Sequence, residues 1–340
     1  PPTSFPGISM AGMDTEISAL NRQAREHAAA LDEVRSGIET VIIGQRTVVD
    51  QVLTAVLAGG HALLEGVPGI AKTLMVRTLA HCLDCTFARL QFTPDLLPAD
   101  ITGTRIYDRH TGAFRTIPGP IFHQIILADE VNRAPPKVQS ALLEAMQEQQ
   151  VTIQGETYPL PRPFFVLATQ NPLESEGTYP LPEAQLDRFM LKIRMDYPSL
   201  DEEVAILDRF AADQPEPPAP VLDADGLAAL QSFVRSVHVD PAVKRYAAQL
   251  VDATRHPAAY GLDLGPMIAF GASPRASLAL LLCGKAHAVL AGRGYVVPDD
   301  IRPLAPAVLR HRVLLTFEAE AEEITPEEII EEILAVVEVP

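Results

Sequence analysis

The stretch EGVPGIAKTLM carries residues whose types and spacing could bind phosphate. Gly66, Lys72 and Thr73 fit the pattern G-x-x-x-x-G-K-[ST], and Gly69 adds a further flexible position to the turn. In such a loop, backbone N–H groups and the N-terminus of the following helix point at phosphate oxygens. The Lys72 ammonium would neutralise the outer phosphates, and the Thr73 hydroxyl would ligate Mg²⁺.

Ala71 departs from this pattern, because it stands where the second glycine is usual. We expect the helix to begin at this position, where alanine is favourable and need not block the phosphates. A short apolar strand, HALLEG, precedes the loop and a helical pattern, KTLMVRTLAHCL, follows it, which is the context that the motif requires. The predicted phosphate-binding residues are Gly66, Val67, Pro68, Gly69, Ile70, Ala71, Lys72, Thr73 and Leu74.

Two adjacent acids, Asp129 and Glu130, end the apolar run HQIILADE. The carboxyl ends of strands in an open parallel sheet border the ligand crevice, so both acids should face the glycine-rich loop. Asp129 would order the hydration shell of the Mg²⁺, and Glu130 would act as general base on an attacking water. Adjacent acids after an apolar run also occur by chance, so the prediction rests on their combination with the loop.

Asn171 and two arginines are further candidates. Asn171 follows the apolar run PFFVLATQ and could hydrogen-bond a water between Glu130 and the terminal phosphate, although an Asn-Pro pair is commonly only a turn. Arg188 and Arg275 could each stabilise the charge that develops on a transferring phosphoryl group. Either arginine could equally form a surface ion pair.

Strands and helices alternate through the first part of the chain, which predicts an α/β fold with a parallel sheet covered on both faces. The segments RIYDRHTGAFRTI and VTIQGETYPL alternate apolar and polar residues around a turn. They predict two β-hairpins, over 105–117 and 150–163. Beyond residue 226 the apolar spacing is almost entirely helical, which predicts a second, smaller domain.

Five segments are expected along the chain. They are a disordered or cloning-derived tail, an α/β core with two hairpins, a proline-rich linker, a helical lid and an acidic tail. Their predicted ranges are 1–25, 26–213, 214–226, 227–315 and 316–340. The acidic tail should hold one short helix that starts near Thr325, which is a good N-cap residue followed by proline.

The composition excludes several classes of protein. No apolar run reaches the roughly 18 residues that a membrane span needs. The formal net charge of -17 argues against a surface that coats nucleic acid, while a local basic channel stays open. Three cysteines are too few for a disulfide framework, so the predicted compartment is the reducing cytoplasm. Cys82 and Cys85 form a C-x-x-C pair, which is a weak metal or redox signal that helix packing explains more easily.

Several of these segments together resemble the MoxR family of AAA+ ATPases. The resemblance rests on GVPGIAKT, LADEVNRAPPKVQSALLEAMQE, VLATQNP, PLPEAQLDRFML and GASPRAS, and it extends from about residue 35 to about residue 315. The AKT form of the loop is usual in that family. Ala71 is therefore interpreted as a family trait, and the loop is expected to bind nucleotide.

The resemblance implies an AAA+ P-loop domain followed by a small all-helical lid, with ATP and Mg²⁺ bound between the subunits of a homo-oligomeric ring, usually a hexamer. Asp129 and Glu130 match the second acidic motif, and Asn171 matches the first sensor. Arg188 matches the arginine finger that acts on the neighbouring subunit's nucleotide, and Arg275 matches the second sensor in the lid. The segment VIIGQ matches the part of these proteins that packs on the adenine, so Ile43 and Gly44 are expected to contact the base.

Three functions compete at this point. The first is a Mg²⁺-dependent ATPase that remodels a client protein, because MoxR-like proteins are similar to chaperones acting on partners with a von Willebrand factor A domain, in metal insertion or enzyme maturation. The hairpins, with Tyr107 and Phe114, would then face the ring pore, although such residues are often simple cross-strand pairs. The second is a motor on nucleic acid, against which the acidic charge counts. The third is a nucleotide-gated scaffold with little turnover, for which Glu130 and Arg188 would be unnecessary.

Overall fold

The computed structural model describes residues 10–67, 69, 71–110, 112–172, 177–211 and 216–340. In chain order the strands are β1 Ala62–Gly66, β2 Phe87–Gln91, β3 Gly103–Asp108, β4 Ala113–Pro118, β5 Ile125–Asp129, β6 Gln150–Ile153, β7 Glu156–Pro159, β8 Phe165–Gln170, β9 Leu191–Met195, β10 Ile268–Phe270 and β11 Leu314–Leu315. The α-helices are α1 Met10–Glu39, α2 Arg46–Ala58, α3 Lys72–Cys82, α4 Pro98–Thr102, α5 Pro136–Glu148, α6 Glu183–Leu186, α7 Leu200–Phe210, α8 Ala224–Ser236, α9 Pro241–Arg255, α10 Pro274–Leu290, α11 Ala305–Leu309, α12 Phe317–Ala321 and α13 Pro326–Val336.

Five parallel strands form the central sheet in the order β2-β5-β8-β1-β9. The three central strands, β5, β8 and β1, are the apolar runs that the sequence predicted, because a strand covered on both faces is apolar throughout. The edge strands β2 and β9 were not predicted. β9 alternates buried residues with less buried ones, and β2 buries only Leu90, so the apolar signal of both strands is weaker, as is typical of an edge.

The sheet separates two hydrophobic cores. Leu63 and Leu64 are both fully buried in β1, yet they point to opposite faces because side chains alternate along a strand. Leu64 packs with α1, α2, α3 and the C-terminal helices, whereas Leu63 packs with α5 and the hairpin side of the sheet. Either residue changed to alanine would cost about 2–5 kcal/mol of unfolding free energy. The loops at the carboxyl edge of the sheet are therefore held by both cores.

Both predicted hairpins are present. β3 pairs with β4, and β6 pairs with β7, each antiparallel. An ion pair between Arg105 and Glu156, at 2.7 Å, and a hydrogen bond between the Thr116 and Tyr158 hydroxyls, at 2.8 Å, join the two hairpins. The hairpins thus form one structural unit beside the sheet.

The C-terminal region is helical, from α8 to α13, with a short antiparallel ribbon of β10 and β11. The predicted linker is shorter than expected, because α8 already begins at Ala224, where Asp223 caps its N-terminus. Residues 221 and 222 donate their N–H groups to the Cys82 carbonyl, which holds this connection against the end of α3. Residues 214 and 215 lie outside the described ranges.

The two predicted tails require correction. Helix α1 begins at Met10, so residues 10–25 belong to a helix rather than to a disordered tail. The helix near Thr325 is confirmed, and Thr325 with Glu328 forms a capping box at its start. It does not lie in a detached tail, because Ile329, Ile330 and Ile333 are buried in the same core as α9 and α11. Within the described ranges, no helix is long and apolar enough to cross a membrane.

Candidate active site

A cleft of about 680 Å³ lies at the carboxyl edge of the sheet. Strands β1, β5 and β8 end at this edge because they are parallel, so their following residues converge there. The residues that line the cleft are Val41, Gly69, Ala71, Lys72, Thr73, Leu74, Arg77, Arg89, Asp129, Glu130, Asn171 and Phe210. The glycine-rich loop, both acids and Asn171 therefore share one cavity, as the sequence predicted.

Lys72 begins α3 at the wall of the cleft, and its ammonium donates a hydrogen bond to the Gly66 carbonyl at the end of β1. Partial burial lowers the pKa of Lys72, while the nearby charges of Asp129 and Glu130 raise it. Thr73 follows in the first turn of the helix and lines the same cavity. Val67 and Leu74 pack against the core and support the loop. Pro68 and Ile70 were also predicted to bind phosphate, but they lie outside the described residues.

The explanation given for Ala71 was wrong. Ala71 does not lie within the helix but precedes it as the N-cap, in the left-handed region at φ 59° and ψ 24°. This conformation favours glycine, and an alanine there costs about 1–2 kcal/mol because Cβ approaches the following carbonyl. Gly69 is also left-handed, at φ 86°, and apart from its chain neighbours no described residue has an atom within 4 Å of where its Cβ would be. The loop therefore holds backbone strain at Ala71 that the second glycine of the motif would remove.

The Thr169 side chain on the neighbouring strand contacts both acids. Asp129 accepts a hydrogen bond from the buried Thr169 hydroxyl at 2.6 Å, and the same hydroxyl oxygen accepts the Glu130 N–H at 2.9 Å. Glu130 has a left-handed backbone, at φ 57°, which turns its side chain into the cleft. A strained conformation of this kind persists only where its surroundings impose it, and it is common in functional sites. Thr169 thus orients both acids from the neighbouring strand.

Strand β2 contributes two residues that sequence reasoning missed. Arg89 donates to Asp129 Oδ2 from Nε at 3.1 Å and from a terminal nitrogen at 2.6 Å. Gln91 donates to Glu130 Oε2 at 2.9 Å and accepts from Arg89 at 2.6 Å. Arg133 also donates to Glu130, at 3.0 Å. Polar residues at alternate positions near the end of FARLQ are the signal that could have revealed them, once the segment is recognised as a strand.

Asn171 follows β8 and is buried at the back of the cleft. The segment VIIGQ was predicted to contact the adenine through Ile43 and Gly44, but these two residues line a smaller neighbouring depression. Val41 from the same segment does line the cleft, and so does Phe210 at the end of α7, which was not predicted. Among the described residues, Val41, Leu74 and Phe210 give the cleft an apolar lining that could contact a base.

Arg188 and Arg275 do not line this cleft. Arg188 lies between α6 and β9 and is partly exposed, and its side chain forms no hydrogen bond or ion pair with any other described residue. Arg275 lies in the first turn of α10, where its guanidinium forms an ion pair with Asp187 at 3.3 Å. The two predicted arginines are thus close to each other in the fold and separate from the acids.

The arrangement in the cleft suits phosphate chemistry with a divalent cation. Lys72 and the N-terminus of α3 present positive charge, and Asp129 and Glu130 present negative charge opposite them. The Thr73 hydroxyl and the Asp129 carboxylate are hard oxygen donors in the same cavity, so they fit Mg²⁺. No group of three or more His, Cys, Asp or Glu that could hold a metal occurs in the described part of the chain. A Mg²⁺ here would therefore take phosphate and water oxygens as its other ligands.

The cysteine pair gives no competing site. Cys82 and Cys85 are free thiols at the end of α3, and burial raises the pKa of each to about 11. A thiol with so high a pKa is a poor nucleophile and a poor metal ligand at neutral pH. Packing accounts for this pair.

Comparison with known proteins agrees with the geometry. Residues 61–191 match the model of the ATPase family associated with various cellular activities (AAA), and residues 264–333 match the AAA lid domain. The chain is 46% identical to Chaperone MoxR1 of Mycobacterium tuberculosis over 97% of this chain and 84% of that protein. It is 49% identical to the protein YeaC of Bacillus subtilis over 89% and 92% of the two chains. The crystal structure of an ATPase candidate from Cytophaga hutchinsonii superposes with a TM-score of 0.89 at 46% identity, over 96% and 99% of the chains.

Proposed function

The chain belongs to the MoxR family of AAA+ ATPases, and on this premise we propose that its cleft hydrolyses ATP with residues from two subunits of a ring. One observation carries the proposal. Lys72, Thr73, Asp129, Glu130 and Asn171 line a single cleft, whereas Arg188 lies outside that cleft. A charge-stabilising arginine for this cleft would then come from a neighbouring subunit.

Within one subunit, each residue has a defined task. The loop N–H groups and Lys72 bind the phosphates, and the apolar lining of the cleft receives the base. Glu130, turned into the cleft by its left-handed backbone, accepts a proton from the attacking water. Asn171 positions that water from the end of β8.

Thr73 and Asp129 would hold Mg²⁺, Asp129 through water. When bound, the ion supplies charge neutralisation to the β- and γ-phosphate oxygens. Thr169 supports this task, because its hydroxyl fixes the Asp129 carboxylate at 2.6 Å. Partial burial lowers the pKa of Lys72, and the neighbouring charges of Asp129 and Glu130 oppose that effect.

The ring is the finer part of the proposal. Arg188 would reach the γ-phosphate in the next subunit, and Arg275 would reach the phosphates of its own subunit from the lid. The absence of an intramolecular partner for the Arg188 side chain, among the described residues, supports a role across an interface. A hexamer is expected from the family resemblance.

The hairpin unit is the proposed contact for a client protein. Tyr107 and Phe114 lie opposite each other on β3 and β4, with 55% and 59% of their surfaces exposed. Their rings meet edge to face at 5.3 Å, and on the opposite face of the same hairpin Ile106 and Ile117 are also exposed. An exposed apolar cluster on a braced hairpin suits transient contact with a polypeptide. The proposed client carries a von Willebrand factor A domain, with the outcome of metal insertion or enzyme maturation.

Steady-state ATP hydrolysis over a range of protein concentrations tests the proposal. Turnover per subunit should rise with concentration, because the site is complete only in the ring. Arg188→Ala should keep nucleotide binding and lose about 10³–10⁵-fold in rate. Glu130→Gln should also bind nucleotide and lose about 10²–10⁴-fold.

Mixing the two variants provides the decisive control, because each supplies the group that the other lacks. Mixed rings should recover part of the activity, whereas either variant alone should not. Turnover that is independent of concentration, with Arg188→Ala as active as the unmodified protein, would sink the shared-site proposal. In the same assay, a purified von Willebrand factor A domain should change the rate if it is the client, and an unchanged rate with no binding would count against it.

A further inference from the structure

Asp187 lies at the junction between the α/β core and the lid, directly before the proposed finger Arg188. It follows α6 as the C-cap residue, and three lid side chains converge on its carboxylate. Arg312 donates from Nε to Oδ1 at 2.7 Å, the Ser273 hydroxyl donates to Oδ2 at 3.1 Å, and Arg275 donates to Oδ2 at 3.3 Å. One carboxylate thus faces two guanidinium groups.

Arg312 holds its place firmly. Only 3% of its side chain is exposed, and it donates to the carbonyl oxygens of Asp187, Phe189 and Met190 at 3.2, 2.7 and 3.1 Å, and also to that of Val308. Moving this buried guanidinium would break all of these hydrogen bonds and leave their acceptors buried and unpaired, which is strongly destabilising. Arg312 therefore fixes the backbone on both sides of Arg188 to the lid.

Arg275 is held much more weakly. Its side chain is 53% exposed, and its hydrogen bond to Asp187 is the longest of the three. Exposed ion pairs of this kind contribute little free energy. Arg275 can thus exchange Asp187 for another anion, while Arg312 stays in place.

Three further details connect the two arginines. Arg275 lies in the first turn of α10, and Ser273, which caps that helix, also donates to Asp187. The Arg188 N–H donates to the Gln185 carbonyl at 3.2 Å, so α6, Asp187 and Arg188 form one continuous turn. A shift of the α10 N-terminus is therefore transmitted to the residue next to Arg188.

We propose that Asp187 couples the two sites of a subunit: it holds Arg275 in competition with the subunit's own nucleotide phosphates, and it positions Arg188 for the neighbour. When Arg275 engages the phosphates, Asp187 keeps only Arg312 and Ser273 as partners, and the turn that carries Arg188 adjusts. The nucleotide bound in one subunit thereby determines the position of the Arg188 side chain that reaches the site of the next subunit. This inference rests on the proposed function and adds Asp187 as a positioning residue.

Asp187→Asn is the test, because asparagine can still accept from Arg312 but no longer attracts Arg275 by charge. Nucleotide affinity, measured by titration in the Glu130→Gln background, should increase by about two- to fivefold as the competitor is removed. The Hill coefficient for ATP hydrolysis should fall from above 1 to about 1. A merely structural role for Asp187 would instead weaken binding and leave cooperativity in the surviving rings.

Two controls separate coupling from general damage. Asp252→Asn removes another lid carboxylate that pairs with an arginine, Arg255 at 3.8 Å, but Asp252 lies in α9. Nucleotide affinity and the Hill coefficient should both stay unchanged in this variant. In an Arg275→Ala background, Asp187→Asn should no longer increase affinity, because its effect acts through Arg275. If Asp187→Asn does not fold, Arg275→Gln breaks the same pair, and a Hill coefficient of about 1 is again expected.

Unchanged affinity and cooperativity in folded Asp187→Asn would overturn the coupling, and so would a Hill coefficient of 1 in the unmodified protein. The Arg188→Ala experiment distinguishes the two levels of failure. If Arg188→Ala stays active, the shared site itself is wrong. If Arg188→Ala is inactive while Asp187→Asn behaves like the unmodified protein, only the coupling is wrong.

Discussion

The cleft and the lid–core junction place charged groups in opposite ways. In the cleft, Lys72, Asp129 and Glu130 follow strand ends and stay partly open, and Ala71 and Glu130 there have left-handed backbones. At the junction, Arg312 is buried against carbonyls and one carboxylate, and residues 187–190 and 311–313 have no left-handed backbone. The cleft is strained and accessible, whereas the Arg312 guanidinium at the junction is buried and paired.

The difference corresponds to two tasks. A site that exchanges nucleotide must leave its charges within reach of a ligand, and preorganised strain is tolerated there because the surrounding sheet imposes it. A junction that transmits movement needs a rigid centre, and here that centre is the buried, paired charge of Arg312. Three predictions test this contrast, beginning with the largest effect.

Arg312→Met should destabilise the protein most. It removes five side-chain hydrogen bonds and leaves Asp187 with only its weaker partners, so we expect a loss of about 3–5 kcal/mol in unfolding free energy. Urea unfolding followed by circular dichroism measures it. Arg302→Met is the matched control, because among the described residues the Arg302 side chain makes a single hydrogen bond, to the Tyr246 hydroxyl at 3.1 Å. An equal loss of unfolding free energy in Arg312→Met and Arg302→Met would show that the hydrogen bonds of Arg312 at the junction contribute no more stability than the single bond of Arg302.

His311 should make the junction sensitive to acid. Its Nε2–H donates to the Phe189 carbonyl at 3.0 Å, and burial, followed by the charge of Arg312, lowers its pKa well below 6.5. His311 therefore stays neutral in the folded protein at a pH near 6.5, where the same side chain is partly protonated in the unfolded chain. The stability that neutral His311 contributes is complete above that pH and declines below it, by about 1.4 kcal/mol per pH unit.

We therefore expect the unfolding free energy, measured with urea between pH 5 and 7.5, to depend less steeply on pH in His311→Gln than in the unmodified protein. His61 provides the comparison inside the α/β core, because burial lowers its pKa to about 4 and it bonds the Met146 carbonyl and the Val166 N–H. His61→Gln should likewise make the unfolding free energy depend less steeply on pH. If His311→Gln leaves the slope unchanged, the junction already admits water or a proton.

Ala71→Gly should have the smallest effect, and it should be stabilising. Glycine relieves the left-handed strain at Ala71 but gains entropy in the unfolded chain, so a net gain of about 0.5–1 kcal/mol is expected. Ala29→Gly, at an exposed position inside α1, should lose a similar amount. Thermal unfolding of both variants measures the contrast, and a loss at Ala71 would mean that the loop carries no strain there.

Much of the cleft could be predicted from local sequence. A strand that is buried on both faces is apolar, so β1, β5 and β8 were recognisable, and functional residues directly follow their ends. Lys72, Asp129 and Asn171 were thus predicted to share a cleft, and they do. The edge strands were missed, and with β2 the residues Arg89 and Gln91 were missed as well.

The positions of Ile43 and Gly44 could not be derived in the same way. Their contact with the adenine was assigned by resemblance and stays a prediction; Ile43 and Gly44 line a separate depression, whereas Val41 and Phe210, the latter from a distant helix, line the cleft. Which side of a short connecting segment faces a cavity depends on how α1, α2 and α7 pack around it. No local pattern of apolar residues encodes that packing.

The sequence by itself determined the phosphate-binding loop, the acids and the alternation of strands and helices, because each depends on residues within a few positions of one another. Only the tertiary structure decided that Arg188 lies outside the cleft, that Ala71 is left-handed, and that Asp187 meets Arg275 and Arg312. Asp187 and Arg312 are 125 positions apart, and their contact exists only once the lid has packed on the end of the sheet. Contacts of this range follow from the packing of whole elements, to which single residue types contribute little information.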